Sequence, residues 1–447
     1  MHQATNPPAL IPTTTRPLPL AVAAKGARIF DQSGLDYIDA SSGPLAVSLG
    51  HGHPKLAEAL RGQFASVDYV HRTQFRNEPA ERLADLVTAR LGGGLDHVLF
   101  VGSGSEANEI AMKLAHLYWA AQGRDGKHRF ASSSLSYHGN TVGALSASGQ
   151  PRYAAPYRPL VQPGQRITAP QVYRLEIPAG STAAAECVAR LRDDFARLDT
   201  AATAAILLEG IGGSSTGVLV PPPGYLEELR RLCDANDVLW ICDEVMSGFG
   251  RTGTWFAFQH ADAVPDVVTF AKGAGGGALP LGGAALSGRL WEQIARVHPA
   301  IHAGHTFTNS PMACAAGVAT IEVIEEEDLL RRVTERGAQL GKQLRELQRE
   351  FPFVGDVRGL GYMWGLEFVA DPATAAPPDP ALNVTGQAIA AAAEHRLIVY
   401  PAGNCADGVA GDAFIVAPPL TSTDEELDEL LARLRATLIT LRALFPR

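Results

Sequence analysis

The chain has 447 residues, 46% of them hydrophobic and 19% charged, with a formal net charge of −9, so it is too long for one simple core and calls for two domains or a large domain with a smaller companion. An ordinary globular composition with no block of lysines and arginines excludes nucleic acid or an anionic membrane as the main partner. Five scattered cysteines (Cys187, Cys233, Cys242, Cys314, Cys405) without a CxxC pair, prolines where a signal peptide needs an apolar helix, and no apolar run of membrane-spanning length predict a soluble, cytoplasmic protein.

Residues 1–20 are rich in proline and threonine and are expected to lie extended over the surface. From about Gly92 short apolar runs alternate with amphipathic helical stretches. "HVLFV" (97–101) precedes a helix pattern through about Ala121, and "RFASSSL" follows at 129–135. "AAILLE" (204–209) precedes "GYLEELRRLCDAN", and then come "VLWICDEV" (238–245) and "DVVTFAK" (266–272). Such βα units predict a largely parallel sheet with buried strands. After Pro311 the sequence predicts one long amphipathic helix, "ACAAGVATIEVIEEEDLLRRVTERGAQLGKQLRELQRE", whose charge run reads as a solvated face. Residues 353–447 mix strands and helices and close on an amphipathic helix, ahead of which Thr423 and Glu426 have capping-box spacing. The expected organisation is an N-terminal segment with part of a small domain (1–66), a large, mainly parallel α/β domain (67–310), and a linking helix with the rest of a smaller α+β domain built from both chain ends (311–447).

Four features on successive βα units have the chemistry of one site. In "VGSGSEANEIAMKLA" a strand passes through a Gly/Ser turn into a helix, whose N-terminus favours an anion such as a phosphate at Gly104–Ser105. A dinucleotide fingerprint would need an acidic residue at the end of the next strand; Asp125 precedes that strand. Asp243 ends "VLWICD", where open α/β sheets place ligands and where a carboxylate needs a cation or a strong donor. Lys272 follows an apolar run and precedes "GAGGGA", which leaves room for a flat ligand beside a nucleophilic amine. Tyr137-His138-Gly139 places an aromatic where it can stack on a ring. A ligand with a phosphate, an aldehyde and a basic ring nitrogen satisfies all four, and pyridoxal 5'-phosphate is such a ligand.

With these residues in view, the chain resembles the class III, ω-aminotransferase-type pyridoxal-phosphate enzymes of fold type I (aspartate-aminotransferase-like) from about Gly26 to its end. The motifs are "SLGHGHPKL" (48–56), "GSGSEANE" (102–109), "SYHGNT" (136–141), "CDEVMSGFGRTG" (242–253), "FAKG" (270–273), "GHTFTNSPMACAA" (304–316), "VRGLGYMWGLEF" (357–368) and "APPLT" (417–421). The resemblance implies that Lys272 carries the cofactor and moves protons, and that Asp243 pairs with its ring nitrogen. It implies that Ser103, Gly104 and Ser105 hold the phosphate, and that Tyr137, His138 and Val245 belong to the ring site. Glu209 matches the family glutamate near that aspartate, although Gly210 follows where a proline is usual. Thr306 matches the threonine that reaches the neighbouring subunit's cofactor, which implies a homodimer with active sites at its interface. The implied reaction moves an amino group from an amine or ω-amino acid to a keto acid by ping-pong chemistry. Another reaction on the same scaffold (aminomutase, racemase or decarboxylase) is the alternative.

Two histidine groups invite a metal reading and do not earn it. Pro299 interrupts "HPAIHAGH" (His298, His302, His305), and His51 and His53 read as turn residues in "GHGHP". One departure bears on substrate. Members handling ornithine, acetylornithine or GABA carry an arginine two residues before "APPL", where this chain has Ile415, and amine:pyruvate members carry a mobile arginine earlier, where "YPAGNCADGVAGD" (400–412) has none. Arg72, Arg76 and Arg358 remain as carboxylate ligands, and one missing grip favours pyruvate over the two-carboxylate 2-oxoglutarate.

Overall fold

The computed structural model describes residues 10, 11 and 13–445. Of the extended segment expected over residues 1–20, residues 1–9 and 12 lie outside that set, and regular structure begins with the strand Ala21–Lys25.

Seven strands form the central sheet: β1 (His97–Val101), β2 (Arg129–Ser133), β3 (Gln165–Ile167), β4 (Thr203–Glu209), β5 (Leu239–Asp243), β6 (Val267–Phe270) and β7 (Gly282–Leu286). Their spatial order is β1-β7-β6-β5-β4-β2-β3. The run from β6 to β3 is parallel, and β7 is antiparallel to both β6 and β1. All residues of β5 and β6 and six of the seven in β4 are buried, which is why these strands read as continuous apolar runs. β7 is a strand that composition hid. Its sequence, GGAAL, lacks β-branched residues. The reason is space: a Cβ on Gly283 would lie 2.5 Å from Cζ of Phe270 on β6.

The single long helix expected after Pro311 is two helices, α2 (Pro311–Glu326) and α3 (Leu329–Glu350); α1 is Gly104–Ala120. The chain breaks at Asp328, which adopts a left-handed conformation (φ 50°). The surroundings of the two halves explain the break. Cys314, Val318 and Ile321 of α2 pack into the core of the large sheet, whereas Ala316, Ala319, Val323 and Ile324 pack into the core beyond it. α2 thus has two apolar faces, with Glu322, Glu325 and Glu326 left partly or fully exposed. α3 buries one stripe only, Val333, Leu340, Leu344 and Leu347, in that second core.

The second core lies under an antiparallel sheet of Val354–Leu360, Met363–Phe368, Asp412–Val416 and Tyr400–Gly403, in that spatial order. A further small sheet joins the chain ends, since Leu397–Ile398 pairs in parallel with Asp36–Asp39. The closing helix, Asp424–Leu441, starts on the expected capping box. Thr423 Oγ1 accepts from the Glu426 amide at 3.2 Å, and the Thr423 amide donates to Glu426 Oε2 at 3.0 Å. The architecture is therefore a large, mainly parallel α/β unit with a smaller α+β unit assembled from both ends. No helix among the described residues is long and apolar enough to cross a membrane.

Candidate active site

The carboxyl ends of β1, β4, β5 and β6 open on one cavity of about 450 Å³. Nine of the ten residues singled out in the sequence line it: Ser103, Gly104, Ser105, Tyr137, His138, Glu209, Asp243, Val245 and Lys272. Thr306 does not. It is exposed, in a loop whose neighbour Phe307 is 60% exposed, and its carbonyl accepts from Tyr69 Oη at 3.1 Å.

Each position follows from local structure. Ser103 caps α1: its Oγ accepts from the Glu106 amide at 3.2 Å, and Glu106 Oε2 accepts in return from the Gly102 amide at 2.9 Å. The amides of Gly104 and Ser105, in the first turn, make no hydrogen bond to other described residues. Gly104 has no alternative residue, because a Cβ there would lie 2.7 Å from Cγ1 of Val245.

Asp243 ends β5, in register with Glu209 of β4. Its Oδ2 is held by Asn108 Nδ2 and His138 Nδ1, both at 2.8 Å, and its Oδ1 by the Val245 amide at 3.0 Å. His138 Nε2 is buried without a partner among the described residues. Glu209 accepts from the amides of Tyr137 at 2.9 Å and Gly213 at 2.5 Å. Burial raises its carboxyl above the ordinary range, opposed by His138 and those two amides and reinforced by Asp243. The glycine that follows Glu209 has its own reason: the Gly210 amide donates to the Asp243 carbonyl at 3.2 Å, a bond a proline cannot make, and a Cβ there would lie 2.5 Å from Glu244 Oε1.

Lys272 lies two residues past β6 and opens a short turn with φ 48°, a left-handed conformation unusual for a side-chain-bearing residue. Its Nζ makes no hydrogen bond or ion pair among the described residues, and burial pulls its pKa down to about 8, with Asp243 and Glu209 opposing. An amine poised near neutrality, facing carboxylates in a cavity, suits attack on a carbonyl and proton transfer.

Asn108 was not legible beforehand. It lies on the buried face of α1, donates to Asp243 and to the His138 carbonyl at 2.7 Å, and accepts from Thr269 Oγ1 at 2.8 Å. The available signal was a buried-face asparagine amid Ala, Ile and Met in "EANEIAMKLA". Tyr153, packed against Tyr137 with ring centroids 4.5 Å apart and planes tilted by 48°, carries no sequence signal of its own.

None of the three arginines considered for a carboxylate lines the cavity. Arg72 donates to the carbonyls of His305 and Ala303, and exposed Arg76 pairs with Glu81. Arg358 is paired with Asp356 and Glu367, both at 2.7 Å. Burial would lower its guanidinium, but these carboxylates outweigh burial and hold it above its usual value. Ile415 is buried in an apolar cluster with Ile211, which itself lines the cavity. Of the histidines, His305 approaches Glu106, His51 Asp39 and His53 Glu327, and no metal-binding group occurs among the described residues.

Residues 12–438 match the family model for class-III aminotransferases. The chain belongs to the class III aminotransferases. An uncharacterized aminotransferase of Bacillus subtilis, YodT, is 37% identical over 94% of this chain and 95% of its own length. Among solved structures, an (S)-enantioselective omega-transaminase from Thermomicrobium roseum is similar at a TM-score of 0.89 and 33% identity, over 97% of this chain and 96% of that one. An amine transaminase from an uncultivated Pseudomonas species, solved with pyridoxal phosphate bound, has a TM-score of 0.88 and 30% identity over 98% of this chain and 99% of its own. The class III aminotransferase described here therefore has the fold type I architecture and uses pyridoxal 5'-phosphate. The cavity fits that group: a half-buried lysine amine without a partner among the described residues, a hydrogen-bonded carboxylate at the neighbouring strand end and a glycine at the helix start converge on it.

Proposed function

We propose that this enzyme moves an amino group from an amine or ω-amino-acid donor to a keto acid, with pyruvate favoured over 2-oxoglutarate. The observation that carries the reading is Lys272, an amine lowered to about 8 and facing Asp243 and Glu209 across the cavity floor. When bound, the cofactor supplies an aldehyde for an amine and a ring that withdraws electrons. The Gly104 and Ser105 amides and the Ser103 and Ser105 hydroxyls receive the phosphate, aided by the start of α1. Tyr137 and Val245 would flank the ring, and the carboxylate of Asp243, held by His138 and Asn108, would pair with the protonated ring nitrogen. Lys272 Nζ would hold the cofactor and, when free, would move the proton of the donor's amine-bearing carbon as general base and then general acid. The keto acid then runs these steps in reverse, which gives ping-pong kinetics.

The exposed Thr306 loop supports a homodimer in which Thr306 reaches the cofactor of the neighbouring subunit. The five free, buried cysteines support a cytoplasmic setting. The preference for pyruvate rests on Ile415, on the arginine-free loop 400–412 and on the prior engagement of Arg358. A donor and acceptor panel tests the whole reading. Amine transfer that depends on a keto acid is expected, with a higher kcat/KM for pyruvate. A clear preference for 2-oxoglutarate overturns the acceptor assignment. Turnover that needs no external keto acid favours the aminomutase, racemase or decarboxylase alternative.

A further inference from the structure

A second cavity of about 380 Å³ adjoins the first; Ser214 lines both, and Tyr153 in its wall packs, tilted, against Tyr137 of the inner wall. Lys272 is the only lysine or arginine lining the inner cavity, and Arg152 the only one lining the outer. Arg152 differs from Arg76 and Arg358, which are ion-paired, and from Arg72, which lines neither cavity. Its guanidinium lies over the Tyr153 ring at 4.6 Å, donates from Nη1 to Asn404 Oδ1 at 3.1 Å and from Nη2 to Tyr153 Oη at 2.6 Å. It forms no ion pair with any described carboxylate. Asp412, in the same lining, accepts instead from Thr385. Arg152 Nε is buried without a partner, as are Gln150 Oε1 and Ser215 Oγ of residues hydrogen-bonded to each other.

We propose that Arg152 grips the carboxylate of the keto-acid acceptor. A half-buried guanidinium that has been desolvated, aimed by neutral partners and left without a counterion is a site for an anion. Beyond the bonds to Asn404 and Tyr153, each Nη keeps one N–H, and these are the donors left for a carboxylate. Asn404, from the loop that carries no arginine of its own, holds this one in place. Because the carboxylate of pyruvate is bonded directly to its carbonyl carbon, this grip requires that carbon to sit at the junction of the two cavities marked by Ser214. The assignment rests on the amino-transfer reading, and its test separates the two.

The purified holoenzyme, with 1-phenylethylamine as donor, is assayed with pyruvate and with butanal, which lacks the carboxylate. Wild type should favour pyruvate. Arg152→Ala should lower the pyruvate-to-butanal ratio of kcat/KM by about tenfold or more, mainly through KM for pyruvate. Arg152→Lys should keep part of the ratio, because it keeps the charge and loses the fork. Independently, calorimetry with propionate, which cannot react, should show binding to wild type that Arg152→Ala abolishes. No preference in wild type, an unchanged ratio in Arg152→Ala, or equal losses on both acceptors overturns the proposal. If Arg152→Ala does not fold, Arg152→Gln and Arg152→Lys are read on the same ratio and titration. If wild type transfers no amine at all, the amino-transfer reading falls, and propionate binding alone decides the role of Arg152.

Discussion

The inner and outer ends of the active-site cleft are built differently. At the inner end, Asp243 and Lys272 stand at or just beyond the ends of adjacent buried strands, and Gly104 opens a helix, so backbone hydrogen bonds of the sheet and α1 set their positions. At the outer end Arg152 and Tyr153 come from a short helix and Asn404 from a loop, and side-chain contacts join local backbone turns in holding them. On the proposed roles, chemistry common to every substrate would sit where the backbone is rigid, and discrimination among substrates where a loop can change without moving a strand.

If that division holds, damage at the inner end should abolish turnover whatever the substrate. The largest effect is expected from Lys272→Ala, a fall in kcat of at least about 10²–10⁴-fold, with borohydride reduction no longer fixing cofactor to the chain. A tag on another lysine in wild type would refute the assignment. The pH dependence sharpens it. Loading of cofactor onto the apoprotein needs the neutral amine, so its rate should rise with pH and level off above about 8. Levelling only near the ordinary lysine value would show that burial does not tune this amine.

Asp243→Asn comes next. It leaves the packing and removes the charge, and kcat should fall roughly a hundredfold or more for every donor, with an unchanged melting temperature. A near-normal rate would show that Asp243 does not serve the ring nitrogen. A smaller loss, about 1–3 kcal/mol in transition-state stabilisation, is expected for Asn108→Ala, which removes one of the two donors to Asp243 Oδ2 and the acceptor of Thr269 Oγ1. Because Asn108 acts through Asp243, the double variant should be no worse than Asp243→Asn; additive losses would separate them. Thr306→Ala should have the least effect, a modest weakening of cofactor retention seen only in the dimer. A crystal structure with Thr306 beside its own subunit's phosphate would break the interface argument.

Legibility in the sequence follows the same division. Lys272 and Asp243 stand out because each ends an apolar run, and the parallel sheet shows in the spacing of those runs. β7 does not show, because its glycines answer to the Phe270 ring of a neighbouring strand. The break at Asp328 does not show either: a periodic pattern records which residues face a core, and α2 faces two. The arginines were least legible. Arg72, Arg76, Arg152 and Arg358 look alike in one dimension, and only the fold reveals that Arg76 and Arg358 are already neutralised by carboxylates while Arg152 is not.

The backbone of Lys272 has a consequence for the protein's evolution. Its left-handed conformation costs a residue with a Cβ about 1–2 kcal/mol, and its buried amine resists the proton that the unfolded chain takes up freely. With a folded value near 8 below the ordinary 10.5, the apoprotein carries that penalty in full below pH 8 and sheds it as the pH rises toward 10.5. Lys272→Gly removes both burdens, so without cofactor the dead enzyme should melt at a higher temperature than the living one. Selection for thermal endurance alone would erode this position, and its retention measures how hard selection for turnover pulls the other way.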